Sequence, residues 1–390
     1  MTNKKAPSIR FKGFTDDWEQ RKLGDETIEM LAGGDIDKSR VVENGKYPIY
    51  ANALTNDGIV GYYDDYYRVK APAITVTGRG DVGHAQARTV DFTPVVRLLA
   101  IRSEHDAYFL ENAINNHGVI VESTGVPQLT VPQLGNYMIQ FPRTIEEETK
   151  IGDYFRNLDN LITLHQRECE RLQIVKKSML ENMFPKNGER VPKIRFSGFT
   201  DDWEQRKLSE CAGFRRGSFP QPYGNKEWYD GEGAMPFVQV ADVADDMKLV
   251  DDTKQKISKL AQPMSVYADK GSVLVTLQGS IGRVAITQYG AFVDRTVLIF
   301  DKYNQDIDKT FWAYIIKEKF IDEARKAPGG TIKTITKEAL SDFDLMLPNY
   351  DEQKKLGAFL VSIDNLITLH QSKLEKLRLI KKSMLEQMFV

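Results

Sequence analysis

Hydrophobic residues recur at alternating steps of three and four in two long stretches of the chain. Residues 158–184 (LDNLITLHQRECERLQIVKKSMLENMF) are matched by residues 363–389 (IDNLITLHQSKLEKLRLIKKSMLEQMF), at an offset of 205 and with 18 of 27 positions identical. The stripe runs through Leu158, Ile162, His165, Leu172 and Met179 in the first stretch, and through Ile363, Ile367, His370, Leu377 and Met384 in the second. This spacing predicts two long helices that pair with each other along the stripe as an antiparallel coiled coil.

A second repeat lies upstream of each predicted helix. Residues 9–23 (IRFKGFTDDWEQRKL) and 194–208 (IRFSGFTDDWEQRKL) differ only at Lys12 and Ser197, and their offset is 185. The chain is therefore two units, each running from this opening to a long helix, and the duplication fixes the architecture before any local motif does. We expect the threonine and aspartates of each opening to cap a short helix. We also expect Trp18 and Trp203 to pack each domain against its own long helix.

The segments between opening and helix share the same order of predicted strands, turns and helices, but their residues differ. Strands are predicted at 73–77 and 272–276, each followed by a glycine turn, and again near 95–101 and 296–300. Helical stretches follow near 106–116 and 308–326, and a last strand ends at a proline at 138–142 and 345–348. The predicted fold class is α/β (α+β), with two globular domains joined by two long antiparallel coiled-coil helices in a pseudo-twofold repeat. The predicted boundaries are a first domain at 1–145, a first helix at 146–184, a linker at 185–193, a second domain at 194–349 and a second helix at 350–390.

Composition narrows the class of protein only a little. The 390 residues are 41% hydrophobic and 28% charged, and the formal net charge is -2, which is ordinary for a globular protein. No apolar run reaches the ~18 residues that a membrane span needs, and the two cysteines, Cys169 and Cys211, fit reduced thiols. We therefore predict a cytoplasmic protein with no membrane partner. The net charge neither indicates nor excludes nucleic-acid binding.

Motifs for catalysis, cofactors and metals do not assemble into an enzyme. Residues 78–83 match G-x-G-x-x-G after a strand, but the residues that follow are typical of extended chain, so we expect a tight turn rather than a dinucleotide site. The chain has no Pro-Pro, which the Asn/Asp-Pro-Pro-aromatic tetrad of a DNA adenine methyltransferase requires. We interpret the E-x-K strings at 148–150 and 352–354 as solvent-exposed charge, and the five histidines lack ligand spacing. We predict no catalytic residue, no metal and no cofactor in this chain.

Donors suited to base edges and phosphates fall in the predicted turns of both units. In the first unit these are Asn52, Asn56, Arg68, Lys70, Arg79, His84, Gln86, Arg88 and Gln128. In the second they are Arg215, Arg216, Tyr223, Lys226, Gln239, Gln278, Ser280, Arg283, Lys333 and Thr334. Residues 66–104 carry six Arg or Lys against three acidic residues, a local charge of +3. Any one of these residues is better explained as a solvated loop residue, but as a group placed similarly in both units they indicate DNA binding.

With its two-unit layout, its TDDWEQRKL openings and its paired DNLITLHQ…KKSMLE…MF helices, the chain resembles a specificity subunit of a type I restriction–modification enzyme over its whole length. The resemblance implies two target-recognition domains, each reading one half of a split double-stranded DNA target. It implies that the repeated helices at 158–184 and 363–389, with the openings alongside, dock two modification subunits, which carry S-adenosylmethionine and methylate adenine N6. Separate restriction subunits would use ATP and magnesium to translocate and cut DNA.

Helix length and duplication together predict the form of the target. A helix of about 34 residues at about 1.5 Å each spans roughly 51 Å, or on the order of 15 base pairs at about 3.4 Å each. Two unlike readers held apart by this pair predict an asymmetric target with a gap between its half-sites. The alternative is a duplicated protein–protein adaptor without DNA contact, which the near-neutral net charge favours. A self-sufficient methyltransferase is disfavoured by the missing tetrad.

Overall fold

The chain divides into two compact units, each with one globular domain. A computed structural model describes residues 6–53, 55–118, 128–186, 188–326 and 337–389. The first unit comprises Met1–Arg167 and His370–Val390, and the second comprises Glu168–Leu369. Each unit therefore holds the beginning of one long helix and the end of the other.

The strands of the first domain are β1 Glu19–Lys22, β2 Glu29–Ala32, β3 Tyr47–Tyr50, β4 Ile59–Tyr63, β5 Ala73–Thr77, β6 Ala85–Arg88, β7 Thr93–Pro94, β8 Leu98–Arg102 and β9 Met138–Phe141. Its helices are α1 Ala107–Asn116 and α2 Val131–Gly135, and the first long helix, α3, is Ile145–Asn182. The predicted strand at 73–77 and the predicted helix near 106–116 are thus found within a residue of their expected bounds.

The strands of the second domain are β10 Glu204–Lys207, β11 Ala212–Arg216, β12 Met235–Val238, β13 Gln255–Ile257, β14 Val266–Ala268, β15 Val273–Thr276, β16 Val284–Ile286, β17 Ala291–Val293, β18 Val297–Tyr303 and β19 Asp344–Leu347. Its helices are α4 Leu208–Cys211, α5 Lys309–Lys326 and α6 Lys337–Ser341, and the second long helix, α7, is Tyr350–Met388.

The two domains have the same sheet topology, except that the second domain has one additional strand, β14. An antiparallel sheet is ordered β2-β8-β5-β6 in the first domain and β11-β18-β15-β16 in the second. A second sheet is ordered β4-β3-β7 in the first domain and β13-β12-β17-β14 in the second. Each of these sheets has one parallel pair of strands, β3 with β7 and β12 with β17. Apolar strands such as β5 are buried on both faces, because α1 packs on one face of the sheet and Tyr50 of β3 packs with Phe92 on the other. The predicted mixed α/β fold is confirmed in each domain.

Each opening forms a strand and not the short helix that we expected. Glu19 pairs with Phe141 and Glu204 pairs with Leu347, so β1 and β10 lie antiparallel to the last strand of their own domain. The preceding tryptophan is buried in both units. Strand pairing supplies the backbone hydrogen bonds that a capped helix would have supplied, which explains why the local capping signal was misleading.

The buried tryptophans pack against the end of the other helix copy. Trp18 meets the ring of Phe389, just after α7, with centroids 6.2 Å apart, and Trp203 meets Phe184, just after α3, at 5.9 Å. We expected each tryptophan to pack on the helix that begins in its own unit. Each tryptophan does share a core cluster with the beginning of that helix, Trp18 with Phe155 and Trp203 with Leu360. Antiparallel pairing adds the end of the other helix to each cluster.

An arginine in each opening binds a glutamate in the first turn of the long helix. Arg10 donates to both oxygens of Glu147 at 2.5 and 2.8 Å, and Arg195 donates to both oxygens of Glu352 at 2.7 and 2.7 Å. Both glutamates are buried, and a buried carboxylate requires such a bidentate partner. Our interpretation of the E-x-K strings as solvent-exposed charge is therefore wrong for Glu352, and for the equally buried Glu148.

The residue after the arginine-bound glutamate, Glu148 in the first unit, has a different identity and a different neighbour in the second unit. His105 Nδ1 lies 2.8 Å from Glu148 and His105 Nε2 lies 2.9 Å from Glu26. Burial would lower the pKa of His105, but these hydrogen bonds outweigh it and the pKa is raised. The second unit has Gln353 and Ile307 at the equivalent positions. Glu148 and Gln353 each accept a 3.2 Å hydrogen bond from the N-cap amide of the domain helix. The charged pair of the first unit and the neutral pair of the second therefore both anchor the start of a domain helix on the long helix.

A glycine lets each domain helix begin directly against the long helix. Asp106 caps α1 and Asp308 caps α5, each accepting a hydrogen bond from an amide of the first turn, at 2.9 and 2.8 Å. A Cβ on Gly152 would lie 2.1 Å from the Asp106 carboxylate, and one on Gly357 would lie 2.6 Å from that of Asp308. Only glycine fits at these two positions of α3 and α7, which are themselves 205 residues apart.

The long helices pair antiparallel within each unit, as predicted. In the first unit Lys381 donates to Asp159 at 2.6 and 2.8 Å, and the Nδ1 atoms of His165 and His370 lie 2.9 Å apart. Residue numbers thus rise along one helix while they fall along the other. The 205-residue repeat generates the same ion pair in the second unit, where Lys176 lies 2.6 Å from Asp364. There the Cys169 thiol also lies 3.9 Å from the carbonyl of Ile367.

All ten stripe residues named from the sequence are buried or half-buried. The long helices also expose large hydrophobic side chains. They are Ile145, Leu161, Leu164, Ile174, Tyr350, Leu366, Leu369, Leu379 and Ile380. Of these, Ile380 follows the spacing of the stripe, so its expected burial is wrong.

We predict that His105→Ile lowers the free energy of unfolding by roughly 3 kcal/mol, because it leaves the buried Glu148 without its cationic partner. Adding Glu148→Gln recreates the neutral pair of the second unit and should restore most of the loss. Because the folded pKa of His105 is raised, its contribution is complete below the unfolded pKa of about 6.5 and is lost as the pH rises through the folded pKa. The deficit of the single variant, measured by urea unfolding, should therefore shrink at alkaline pH. Additive losses in the double variant would contradict the pairing.

We predict opposite outcomes for two leucines on one helix. Leu377 packs against the core of the first unit, so Leu377→Glu buries a charge and should lower the melting temperature by several degrees. Leu379 is 67% exposed, and Leu379→Glu should leave the melting temperature unchanged. Equal melting temperatures for both variants, measured by circular dichroism, would refute the helix pairing described above.

Candidate nucleic-acid interface

A glycine turn with the same hydrogen bonds occurs in both domains, at 77–84 and 276–283. The hydroxyl of Thr77 donates to the carbonyl of Asp81 and accepts from the amide of His84 at 2.9 Å. Thr276 makes the equivalent bonds to Ser280 and Arg283, the latter at 3.0 Å. Each turn joins two antiparallel strands, β5 to β6 and β15 to β16. No helix follows, so the turn is a hairpin and not a dinucleotide motif, as predicted.

Positive backbone angles explain the glycines of these turns. The φ angles of Gly80 and Gly83 are 76° and 85°, and those of Gly279 and Gly282 are 64° and 82°. Side chains other than glycine rarely adopt this region. The tip of each turn consists of the first of these glycines and its two neighbours. The neighbours differ between the domains: the tips are Arg-Gly-Asp at 79–81 and Gln-Gly-Ser at 278–280.

Three of the predicted residues of the first unit meet at its glycine turn. The amide of Asn52 donates to the carbonyl of Arg79 at 2.5 Å, and its oxygen accepts from the backbone amides of Gly78 and Arg79 at 2.7 and 3.3 Å. Gln128 forms an isolated β-bridge with Arg79. Asn52 is therefore a support for the turn, and the Arg79 side chain is the group presented. His84, at the end of the turn, is exposed.

A second group of predicted residues is committed to the interior of the domain. Arg88 is 6% exposed, and its guanidinium binds Asp57 at 2.8 Å, Gln86 at 2.7 Å and the ring of Tyr50, whose centroid lies 3.7 Å away. Gln86 also donates to Asp57. We predicted Arg88 and Gln86 as DNA ligands. Both side chains are held by contacts inside the domain, and their role as DNA ligands stays a prediction.

The remaining predicted residues of the first unit lie on its surface. Arg68 and Lys70 are exposed. Asn56, also exposed, has a φ of 51° and donates to the carbonyl of Ile59 at 3.2 Å.

In the second unit the glycine turn presents Gln278 and Ser280, which are exposed. Arg283, at the end of the turn, is ion-paired with Asp245 at 3.0 Å. The half-buried Gln239 precedes Val240, whose side chain would lie 3.6 Å from a Cβ on Gly279. Gln239 therefore lies close to the turn.

Other predicted residues of the second unit are spread over the domain. Arg215 is ion-paired with Asp301 at 2.6 Å. The hydroxyl of Tyr223 donates to the buried Asp294 at 2.6 Å, and burial together with this bond raises the pKa of Tyr223 to about 12. Arg216 and Lys226 are exposed. Lys333 and Thr334 lie outside the described residues.

Two arginines that we did not select from the sequence have the clearest ligand-binding features. Arg97 is exposed and has a φ of 75°, a strained conformation for a residue other than glycine. Arg295 is exposed, and its guanidinium lies 5.2 Å from the ring centroid of Tyr223. Neither has an ion pair with any residue in the described ranges. Sequence counting had included Arg97 only in the local positive charge.

A second surface is defined by exposed residues that are identical, or nearly so, in both repeats. On the helices the exposed hydrophobic residues are paired by the 205-residue offset: Leu161 with Leu366, Leu164 with Leu369, and Ile174 with Leu379. In the openings the exposed residues Thr-Asp-Asp (15–17 and 200–202) and Glu-Gln (19–20 and 204–205) are identical. Core packing does not explain identity at exposed positions.

Other functional classes gain no support from the described part of the chain. It contains no helix long and apolar enough to cross a membrane. Its His, Cys, Asp and Glu side chains form no group of three or more that could hold a metal ion. Cys169 and Cys211 are free, buried thiols, and burial raises the pKa of Cys211 to about 11.

Comparison with known proteins gives consistent matches. A family model described as the type I restriction modification DNA specificity domain matches residues 15–173 and 200–379. The MjaX specificity subunit of a type I restriction enzyme from Methanocaldococcus jannaschii is 24% identical over 256 residues, covering 65% of this chain and 58% of that protein. The MjaVIII specificity subunit of the same organism is 24% identical over 279 residues, covering 68% and 64%. The chain thus matches less than two thirds of the length of either relative.

The fold is shared with a solved structure. The type I restriction–modification S subunit from M. genitalium superposes with a TM-score of 0.69 at 14% sequence identity, over 99% of both chains. The family matches each span one opening, one domain and much of one long helix, and together they cover most of the chain. This chain therefore belongs to the type I restriction–modification DNA specificity family.

Proposed function

We propose that this chain is the non-catalytic DNA-recognition subunit of a type I restriction–modification complex. Its domains, at 1–145 and 194–349, each read one half of a split, asymmetric DNA target. The observation that carries this proposal is the glycine turn, which has one hydrogen-bonded scaffold in both domains but different residues at its tip. Two turns with the same backbone hydrogen bonds but different tip residues are suited to binding two different DNA sequences.

The first support is the division between repeated and unrepeated parts. The ion pairs Arg10–Glu147 and Arg195–Glu352, and the helix pairs Asp159–Lys381 and Asp364–Lys176, recur in both units. The charged residues presented by the domains do not recur. The frame is thus duplicated, while the surfaces proposed to read DNA differ.

The second support is the exposed apolar surface of the helices. Leu161 and Leu379 are each two residues from the ion pair of Asp159 with Lys381 in the first unit. Leu366 and Ile174 are each two residues from that of Asp364 with Lys176 in the second. Exposed leucines that recur in this way favour protein binding over simple solvation. We propose that each unit docks one modification subunit here, so that two methyltransferases with S-adenosylmethionine act on adenine N6. Restriction subunits, which use ATP and magnesium, join the same complex.

We predict that sequencing the methylation pattern of a strain that expresses this chain with its modification subunit will return a split target with two unlike half-sites. A gel shift with that DNA should show sequence preference, because base contacts come from this chain. A continuous or palindromic target would contradict the proposal. A complex that binds no DNA with preference would instead support the protein–protein adaptor.

We predict that Leu164→Asp removes one of two docked modification subunits, and that Leu164→Asp combined with Leu369→Asp removes both. These side chains are 54% and 48% exposed, so thermal stability should be unchanged. Native mass spectrometry of the complex measures the stoichiometry directly. The exposed Val60→Asp, in the first domain and away from the helices, is the matched control and should retain two modification subunits. Full assembly of the double variant would place docking elsewhere.

A further inference from the structure

We propose that the glycine turn and the loop beside it form one base-reading edge in each domain, with Arg79 and Arg97 as readers in the first domain and Gln278 and Arg295 in the second. This inference rests on the proposed DNA-recognition function. It goes further, because it assigns positions and base classes that the family relationship does not supply.

The two segments of the edge are joined by backbone hydrogen bonds. The amide of Gly78 donates to the carbonyl of Arg97 at 3.0 Å, and in the second domain the amide of Leu277 donates to the carbonyl of Thr296 at 2.8 Å. The residues of the turn and those of the loop therefore keep a fixed relation to each other. Arg295 precedes Thr296 directly, so both domains place an arginine at the same junction.

Buried polar groups hold the edge in place from behind. In the first domain the Asn52 side chain binds the backbone of Gly78 and Arg79 through three hydrogen bonds. In the second, the buried Asp294 accepts from the amide and hydroxyl of Thr296, at 2.9 and 2.5 Å, and from Tyr223. A surface that is fixed before binding loses less conformational entropy when DNA binds.

The arginines of the edge differ from four other arginines of the domains in their partners. Arg40, Arg88, Arg215 and Arg283 are ion-paired with Asp65, Asp57, Asp301 and Asp245, respectively. Arg79, Arg97 and Arg295 have no carboxylate partner among the described residues, so their guanidinium donors remain available. The positive φ of Arg97 is the kind of backbone strain that concentrates at binding sites.

Residue chemistry then assigns the base classes. Arginine binds the O6 and N7 atoms of guanine in a bidentate manner, and glutamine binds N6 and N7 of adenine. The first domain, with two arginines on its edge, should read guanine within its half-site. The second, with Gln278 and Arg295, should read an adenine and a guanine.

The test is selection from a randomised double-stranded DNA pool, using the complex of the full chain with its modification subunits. Arg97→Gln should lower the preference for guanine by roughly ten- to a hundredfold at positions within one half-site, and leave the other half-site unchanged. Arg295→Gln should do the same in the other half-site. Arg97→Lys should also lose the preference, because an ammonium ion cannot reproduce the bidentate geometry. Arg40→Gln, an exposed arginine of the first domain that is ion-paired, is the control and should select the wild-type sequence.

Exchange of the tips is the stricter version of this test. A chain with Gln-Gly-Ser at 79–81 and Arg-Gly-Asp at 278–280 should exchange base preferences between the half-sites at the contacted positions. If Arg97→Gln and Arg295→Gln weaken binding to all sequences equally, these arginines contact phosphates and the inference is overturned, although the proposed function stands. If the wild-type complex selects no split target, both fail.

Discussion

The antiparallel pairing of the two long helices is the constraint on which the rest of the structure depends. Each helix begins in one unit and ends in the other, so neither unit is complete without residues from both repeats. Asp159 with Lys381 and Asp364 with Lys176 set the register of this pairing twice. The closing aromatic contacts, Trp18 with Phe389 and Trp203 with Phe184, follow from that register. Partly buried ion pairs of this kind contribute more to specificity of pairing than to stability.

A duplicated frame explains where the chain varies and where it does not. The first turn of each long helix buries a glutamate that binds the arginine of the opening. The same helix needs a glycine, Gly152 or Gly357, where the domain helix begins against it. Those requirements recur at fixed offsets. His105 with Glu148 and Ile307 with Gln353 show that even the frame tolerates change when charge is lost from both partners together. The tips of the glycine turns face no such requirement, and they carry the difference between the domains.

Local pattern and repetition were sufficient to predict the two long helices, the buried strand β5 and the hairpin character of the glycine turns. They were insufficient where a partner lies far away in the chain. Glu352 was taken for solvent-exposed charge because Arg195 precedes it by 157 residues. The burial of Arg88 was not foreseen because its partner, Asp57, lies in a left-handed turn that periodicity does not reveal. Arg97 was not selected as a candidate because its positive φ of 75° is visible only in three dimensions.

The most direct test of the proposed function is to make the two domains identical while the helices stay unchanged. Residues 204–347, from β10 to β19, can be replaced by residues 19–141, from β1 to β9, because the strand registers at both junctions are equivalent. Methylation-pattern sequencing with this chain should return a target in which the half-site of the first domain occurs twice. A target that still contained the original half-site of the second domain would contradict the account.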